Sequence, residues 1–294
     1  MIVFNHETAK IWSNRYRYLC SSKGKTNGAY TYSQEINKHH IPLIENLFKN
    51  KNVVVFTVDH SFHYQIKDKP LIITYLHESL KAEQSRINQC LARHKTKHIW
   101  ITGRYRDSLV IKQKYGPCIF LPISIDTDYV KKFDSKQPRF TDRIIFFGNT
   151  YYNKGATIPF LHKFFKTQHI KFDTIINNVY TAEGHPPLPV TREAILSILS
   201  HYNYGIGSGK CFLEMNALGL KTLISGEKFC GLITNEREFD IQTKTNFCAS
   251  QEAGIISYSP QIKKCWDNID NAYIKTIDSK DVLPILESKL KKYL

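Results

Sequence analysis

The stretch Gly205-Ile-Gly-Ser-Gly-Lys-Cys-Phe-Leu-Glu214-Met-Asn-Ala-Leu-Gly219-Leu-Lys-Thr-Leu-Ile-Ser225 decides how this chain is read. Three glycines at alternate positions open a turn, and a short helical segment follows with a single acid, Glu214. Gly219 stops that helix, and the apolar run Thr222–Ile224 reads as the next strand. Glycines let backbone N–H groups approach a phosphate, and a helix N-terminus favours negative charge. An acid one turn into the helix is placed to bond a ribose hydroxyl. The segment therefore predicts a nucleotide diphosphate site in an α/β domain.

Working outward, apolar strands recur at Ile2–Phe4, Val53–Val58, Leu71–Tyr75, His98–Thr102 and Ile119–Pro122, with helical patterns near 30–49, 78–93 and 106–115. Continuous apolar strands alternating with helices are the mark of a parallel sheet covered on both faces. The polar stretch Lys131–Arg139 reads as a linker, after which the alternation resumes. Strands are expected at Arg143–Phe147, Phe172–Ile176, Tyr204–Ile206 and Thr222–Ile224, with helices near 155–167, 190–200 and 210–218. The expected division is an N-terminal domain over 1–130, a linker over 131–141, a C-terminal domain over 142–280 and a basic amphipathic helix over 281–294. Two such halves facing a cleft would hold a ligand at the carboxyl ends of their strands.

Composition narrows the class. With 42% hydrophobic and 23% charged residues, a packed core is expected. No run of eighteen apolar residues occurs, which speaks against a membrane-spanning helix. The N-terminus lacks a basic segment followed by an apolar run, so no secretory signal is expected. Seven cysteines, an odd number with no Cys-x-x-Cys, argue against a disulfide framework or zinc site and for a reducing cytosol. The net charge of +15 is uneven: residues 1–140 hold 23 Lys and Arg against 11 Asp and Glu, and residues 141–294 hold 18 against 15. An AT-rich coding sequence would raise lysine everywhere, whereas a surplus confined to one half implies an anionic partner there.

Four segments, in order, resemble glycosyltransferases of the GT-B fold, in particular the group 1 retaining nucleotide-sugar family: Thr102–Gly116, Leu121-Pro-Ile-Ser-Ile-Asp-Thr-Asp-Tyr129, Ile144-Ile-Phe-Phe-Gly-Asn-Thr-Tyr-Tyr-Asn-Lys-Gly155 and Phe212-Leu-Glu-Met-Asn-Ala-Leu-Gly219. The resemblance implies an α/β chain with two Rossmann-like parallel-sheet domains facing a central cleft. It makes Glu214 the ribose-binding acid and Lys154 the neutraliser of the donor diphosphate. Gly148, Gly207, Ser208 and Gly209 line the donor, and Gly28 belongs to an N-domain loop that closes over it. His77 matches the family's active-site histidine at a strand end. From the residues alone, Asp59, His60 and His63 compete with it as the base. The chain departs from the pattern twice. The family's first acid falls at Ile206, and its arginine falls at Asn149. Lys210, at the entrance to the helix, is the candidate for the missing positive charge.

Small size and basic character are similar to the phage enzymes that glycosylate hydroxymethylated bases in DNA. That similarity implies a UDP-sugar co-substrate, no permanently bound cofactor, double-stranded DNA as acceptor and a cytoplasmic location. Arg15, Arg17, Lys23, Lys25, Arg104 and Arg106 interleave with aromatics in the basic half, a pattern that can hold a phosphate backbone and stack on bases. The same tracts also fit alternating exposed faces of ordinary elements. Asp126-Thr-Asp128 has the form of a metal-binding D-x-D but reads as a cap or turn, and no metal is expected. Two rivals stand beside this reading. One is an enzyme of lipopolysaccharide or capsule synthesis at an anionic membrane. The other is a degenerate domain that binds without turnover.

Overall fold

The computed structural model describes residues 2–4, 16–17, 35–49, 51, 53–56, 71–76, 80–93, 96–149, 155–226, 228–247 and 259–294. The chain divides into two compact units, Met1–Pro122 with Ser279–Leu294, and Ile123–Asp278.

In the first unit, strands β1 (Ile2–Phe4), β2 (Tyr16–Arg17), β3 (Val53–Phe56), β4 (Leu71–Leu76), β5 (His98–Thr102) and β6 (Cys118–Phe120) form a sheet in the order β2-β1-β3-β4-β5-β6. All of these pairings are parallel. Val53–Val55, Ile72, Ile73 and Ile99–Ile101 are buried, as strands covered on both faces require. A π-turn over Ile36–His40 leads into α1 (Ile41–Leu47). Pro42 has no N–H to give the carbonyl of Lys38, and the Ile41 N–H bonds back to Ile36, five residues earlier. Helices α2 (Leu80–Arg93) and α3 (Tyr105–Tyr115) pack together, with Ile87, Cys90 and Ile111 around Trp100.

The second unit contains α4 (Thr127–Lys131), β7 (Phe140–Gly148), α5 (Ile158–Thr167), β8 (Lys171–Ile176), β9 (Val179–Thr181), β10 (Leu188–Pro189), α6 (Arg192–Leu199), β11 (Tyr202–Gly207), α7 (Lys210–Ala217), β12 (Lys221–Ser225), β13 (Phe229–Leu232), α8 (Glu236–Lys244) and α9 (Ser259–Asp267). Its sheet runs β10-β9-β8-β7-β11-β12-β13. The strands β8, β7, β11 and β12 are parallel, and β9, β10 and β13 join antiparallel at the edges. Period-two alternation in β7 serves two cores. Ile144 and Phe146 pack with Leu161, Phe164 and Phe165 of α5, while Ile145 and Phe147 pack with the α6 and α7 side. The stretch expected as a linker holds the end of α4 and the start of β7, and both lie in this unit.

A buried charge sits in this core. Asp173 in β8, with no exposure, accepts from Arg143 at 3.0 and 3.3 Å, from the Tyr202 hydroxyl at 2.7 Å and from the Glu183 N–H at 3.2 Å. Burial, then the bonds to Tyr180 and Asp173, hold the Tyr202 phenol far above its ordinary value. Tyr202 in turn meets Tyr180 of β9 at 2.9 Å, which ties the edge hairpin to the parallel strands.

The chain then returns to the first unit, where α10 (Leu283–Leu290) buries Leu286 and Leu290 and packs against α1. Lys51 donates to the carbonyl of Leu294. Grouped by unit, the charge asymmetry sharpens: the first holds 23 Lys and Arg against 10 Asp and Glu, the second 18 against 16. Among the described residues Cys90, Cys118, Cys211 and Cys265 are not disulfide-bonded, and Cys230 is. Among the described residues no helix is long and apolar enough to cross a membrane.

Candidate nucleotide site in the second unit

Strand order places the site. The chain runs from β7 to β8 on one side, then crosses to β11 on the other. The crevice outside the carboxyl ends of β7 and β11 is thus the topological switch point, where ligands of open α/β sheets bind. Gly207 pairs with Phe147, which brings the segments after β7 and β11 side by side. The glycine-rich turn and α7 begin there.

The glycines have separate tasks. A Cβ at Gly207 would lie 2.8 Å from the Phe147 carbonyl oxygen and 2.7 Å from Met215 Cε, so the strand has no room for one. At Gly205 it would lie 2.6 Å from Met215 Sδ. Both positions let α7 pack close on the sheet. Gly209 has φ 56° and ψ −130°, a conformation that suits glycine. Its N–H donates to the Phe247 carbonyl at 3.1 Å. The intrahelical ladder of α7 starts at Leu213, whose N–H bonds Gly209 at 3.4 Å. The amides of the first turn, Lys210 to Phe212, therefore have no acceptor within the helix. Gly219, at φ 78°, closes the far end, where the Leu220 N–H reaches the Met215 carbonyl at 3.0 Å.

Glu214 is buried in α7, and Arg192 at the start of α6 donates to its Oε1. The Glu214 side chain is 2% exposed and that of Arg192 16%. Thr191 caps α6, accepting from the Ala194 N–H at 3.3 Å, and so sets the helix start that presents Arg192. Glu193 accepts from the Tyr129 hydroxyl at 3.1 Å. Burial, then the bond to Glu193, holds the Tyr129 phenol above its ordinary value. Asp126 caps α4, accepting from the Tyr129 N–H at 3.0 Å, which places Tyr129. Lys210 is buried at the head of α7. Sequence reasoning missed Arg192 and Tyr129; the Thr191 cap was the local signal for the α6 start, but nothing local joined it to Glu214.

Of the other expected site residues, two lie at this switch point. Gly148 ends β7, and Ser208 lies between β11 and Gly209. Arg104 is mostly buried, 3.8 Å from Asp107, while Arg106 is exposed on α3. Arg17 lies in β2. His77, Gly28, Lys154, Arg15, Lys23 and Lys25 fall outside the described residues. So do Asp59, His60 and His63. Among the described residues no cluster of His, Cys, Asp and Glu could hold a metal.

A histidine the sequence reading passed over lies in the first unit. His40 is buried in the π-turn, with Nδ1 3.1 Å from the Tyr75 hydroxyl near the carboxyl end of β4. Burial, reinforced by His39, pushes its pKa down to about 3.

No protein-family model matches this chain, and no curated protein sequence does. Solved structures do. An alpha-glucosyltransferase in complex with UDP and a 13-mer DNA containing an HMU base superposes with a TM-score of 0.50 at 11% identity, over 92% of this chain and 93% of that one. An alpha-glucosyltransferase in complex with UDP-glucose and DNA containing an abasic site gives 0.47 at 11% identity, over 90% and 91%. The first superposition shows that this chain has the GT-B fold, with both α/β units accounted for.

Proposed function

We propose that this chain is a glycosyltransferase that moves glucose from UDP-glucose to a hydroxymethylated pyrimidine in duplex DNA. The observation that carries this is Glu214: a buried carboxylate one turn into the helix at the switch point of the second unit, held by Arg192. A carboxylate oxygen there suits a ribose hydroxyl, and the first-turn amides of α7 suit the diphosphate. Support for the substrates comes from the complexes of the glucosyltransferase that shares the fold, which hold UDP and HMU-containing DNA. Fold alone does not imply chemistry, so the site residues carry the argument.

Negative charge builds on the UDP leaving group as the glycosidic bond breaks. The N-terminal amides of α7, with Lys210 and Lys154, stabilise it there, and fixed dipoles need no reorganisation at that moment. UDP-glucose is an α-glucoside, so an α-linked product means retention of configuration. The basic first unit offers the phosphate backbone its partner, with Arg15, Arg17, Lys23, Lys25 and Arg106 as the contact set, while Arg104, mostly buried beside Asp107, is withdrawn from it. The sequence resemblance assigns His77 the part of active-site histidine and Gly28 a part in the closing loop. The reaction belongs in the cytoplasm, where DNA and nucleotide sugars meet.

The test is mass spectrometry of duplexes with and without a hydroxymethylated base after incubation with UDP-glucose. A hexosyl increment on the modified duplex alone is expected. Glu214→Ala should weaken UDP binding by roughly 10- to 100-fold, the loss of a charge-assisted hydrogen bond. Affinity for the duplex should fall steeply with salt. No increment on either duplex, with binding to anionic vesicles instead, would move the acceptor to the membrane surface. Unchanged UDP affinity in Glu214→Ala would remove the acid from the site.

A further inference from the structure

Among the described residues, two amide oxygens adjoining the glycine turn are buried without a hydrogen-bond partner. One is Oδ1 of Asn149, the first residue after β7 and its Gly148 terminus. The other is Oδ1 of Asn246, a residue 8% exposed in the turn after α8. Buried acceptors in native structures nearly always have a partner, so two orphans in one region call for a donor.

Both adjoin the glycine turn along the chain or the sheet. Asn149 follows the carboxyl end of β7 by one residue, two positions past Phe147, which pairs with Gly207 at the end of β11. Asn246 directly precedes Phe247, whose carbonyl takes the Gly209 N–H at 3.1 Å and whose ring stacks on Phe212 of α7 at 4.9 Å. Asn246 and Phe247 also have φ of 56° and 48°, an uncommon conformation for residues with a side chain.

The chemistry of the missing donor is restricted. A phosphate carries only acceptors at neutral pH and cannot satisfy an amide oxygen. A hydroxyl both donates and accepts, so it satisfies the amide in either orientation. Next to the diphosphate end of a nucleotide sugar, hydroxyls belong to the transferred sugar. Ile206, where the resemblance expected an acid, is fully buried in the apolar core and offers nothing to a sugar.

We propose that Asn149 and Asn246 form the sugar subsite, each holding a hydroxyl of the hexose carried by the nucleotide. The proposal rests on α7 as the diphosphate end, the reading given above.

Asn246→Gly tests it cleanly. Glycine accepts a φ of 56° more readily than asparagine, so the turn is kept while the amide is removed. Calorimetric titration of the full chain with UDP and with UDP-glucose should show UDP-glucose binding about five- to tenfold weaker in Asn246→Gly, and again in Asn149→Ala, with UDP affinity unchanged. The melting temperature of Asn246→Gly should not fall. Equal weakening of both ligands, or of neither, overturns the sugar assignment while leaving the nucleotide site standing. A wild-type chain that binds neither UDP nor UDP-glucose takes down both the site and the subsite.

Discussion

Arg192→Met is the most informative perturbation of the second unit. It keeps an apolar stem of similar length but deletes the guanidinium that holds Glu214. The carboxylate is 2% exposed, so once unpaired it cannot recover its hydration. Removing one partner of a buried pair costs about 3–5 kcal/mol. Arg192 is 16% exposed, which lets water reach part of the vacated space and lowers the expectation to about 2–4 kcal/mol. For a unit of this size that is a fall in Tm of roughly 5–15 °C. Trp266, packed on Phe165 and Tyr204 in the same unit, gives a local fluorescence reporter for denaturant titration, with circular dichroism as the second probe. In the double variant with Glu214→Gln the buried charge is gone, so its loss should be smaller than the sum of the two single losses by at least about 1 kcal/mol. A loss below about 0.5 kcal/mol in Arg192→Met, or strict additivity in the cycle, would show that the pair does not hold Glu214 and refute the reasoning.

Gly207→Ala should destabilise the second unit by about 2 kcal/mol, because the added carbon meets the Phe147 carbonyl, which is backbone and cannot yield. Gly205→Ala meets chiefly the movable end of Met215, so its denaturation midpoint should shift less; equal shifts would contradict this. For His40, whose folded pKa of about 3 lies below the ordinary 6.5, the unfolded chain takes up a proton that the native state refuses. Its contribution to stability is complete above pH 6.5 and declines as pH falls towards 3, by about 1.4 kcal/mol per pH unit. His40→Gln should flatten that part of the stability–pH curve by about one proton, measured by urea titration at several pH values; an unchanged slope would mean His40 titrates normally.

Much of the fold was legible locally. The expected strand at His98–Thr102 and the helix from 210 matched because an apolar run and a glycine-flanked period leave plain marks. The edge strands β9 and β10 left no such mark, since they cover only 179–181 and 188–189 and face outward in part. Asp173 was hidden inside a strand pattern because its partners stand about thirty positions away, Arg143 on the adjacent β7 and Tyr202 one strand further on, in β11.

By itself the sequence determined the alternation of strands and helices, the glycine-delimited helix carrying Glu214 and the concentration of positive charge towards one end. Those depend on interactions within a few residues, or on composition. Only the tertiary structure decided that β7 and β11 are neighbours, that Arg192 pairs with Glu214 while Tyr129 bonds the adjacent Glu193, that the residues after β7 and after α8 both adjoin the glycine turn, and that the C-terminal helix returns to the first unit. The reason is that strand order is set by which apolar faces bury each other across crossovers, and no periodicity along the chain records that choice.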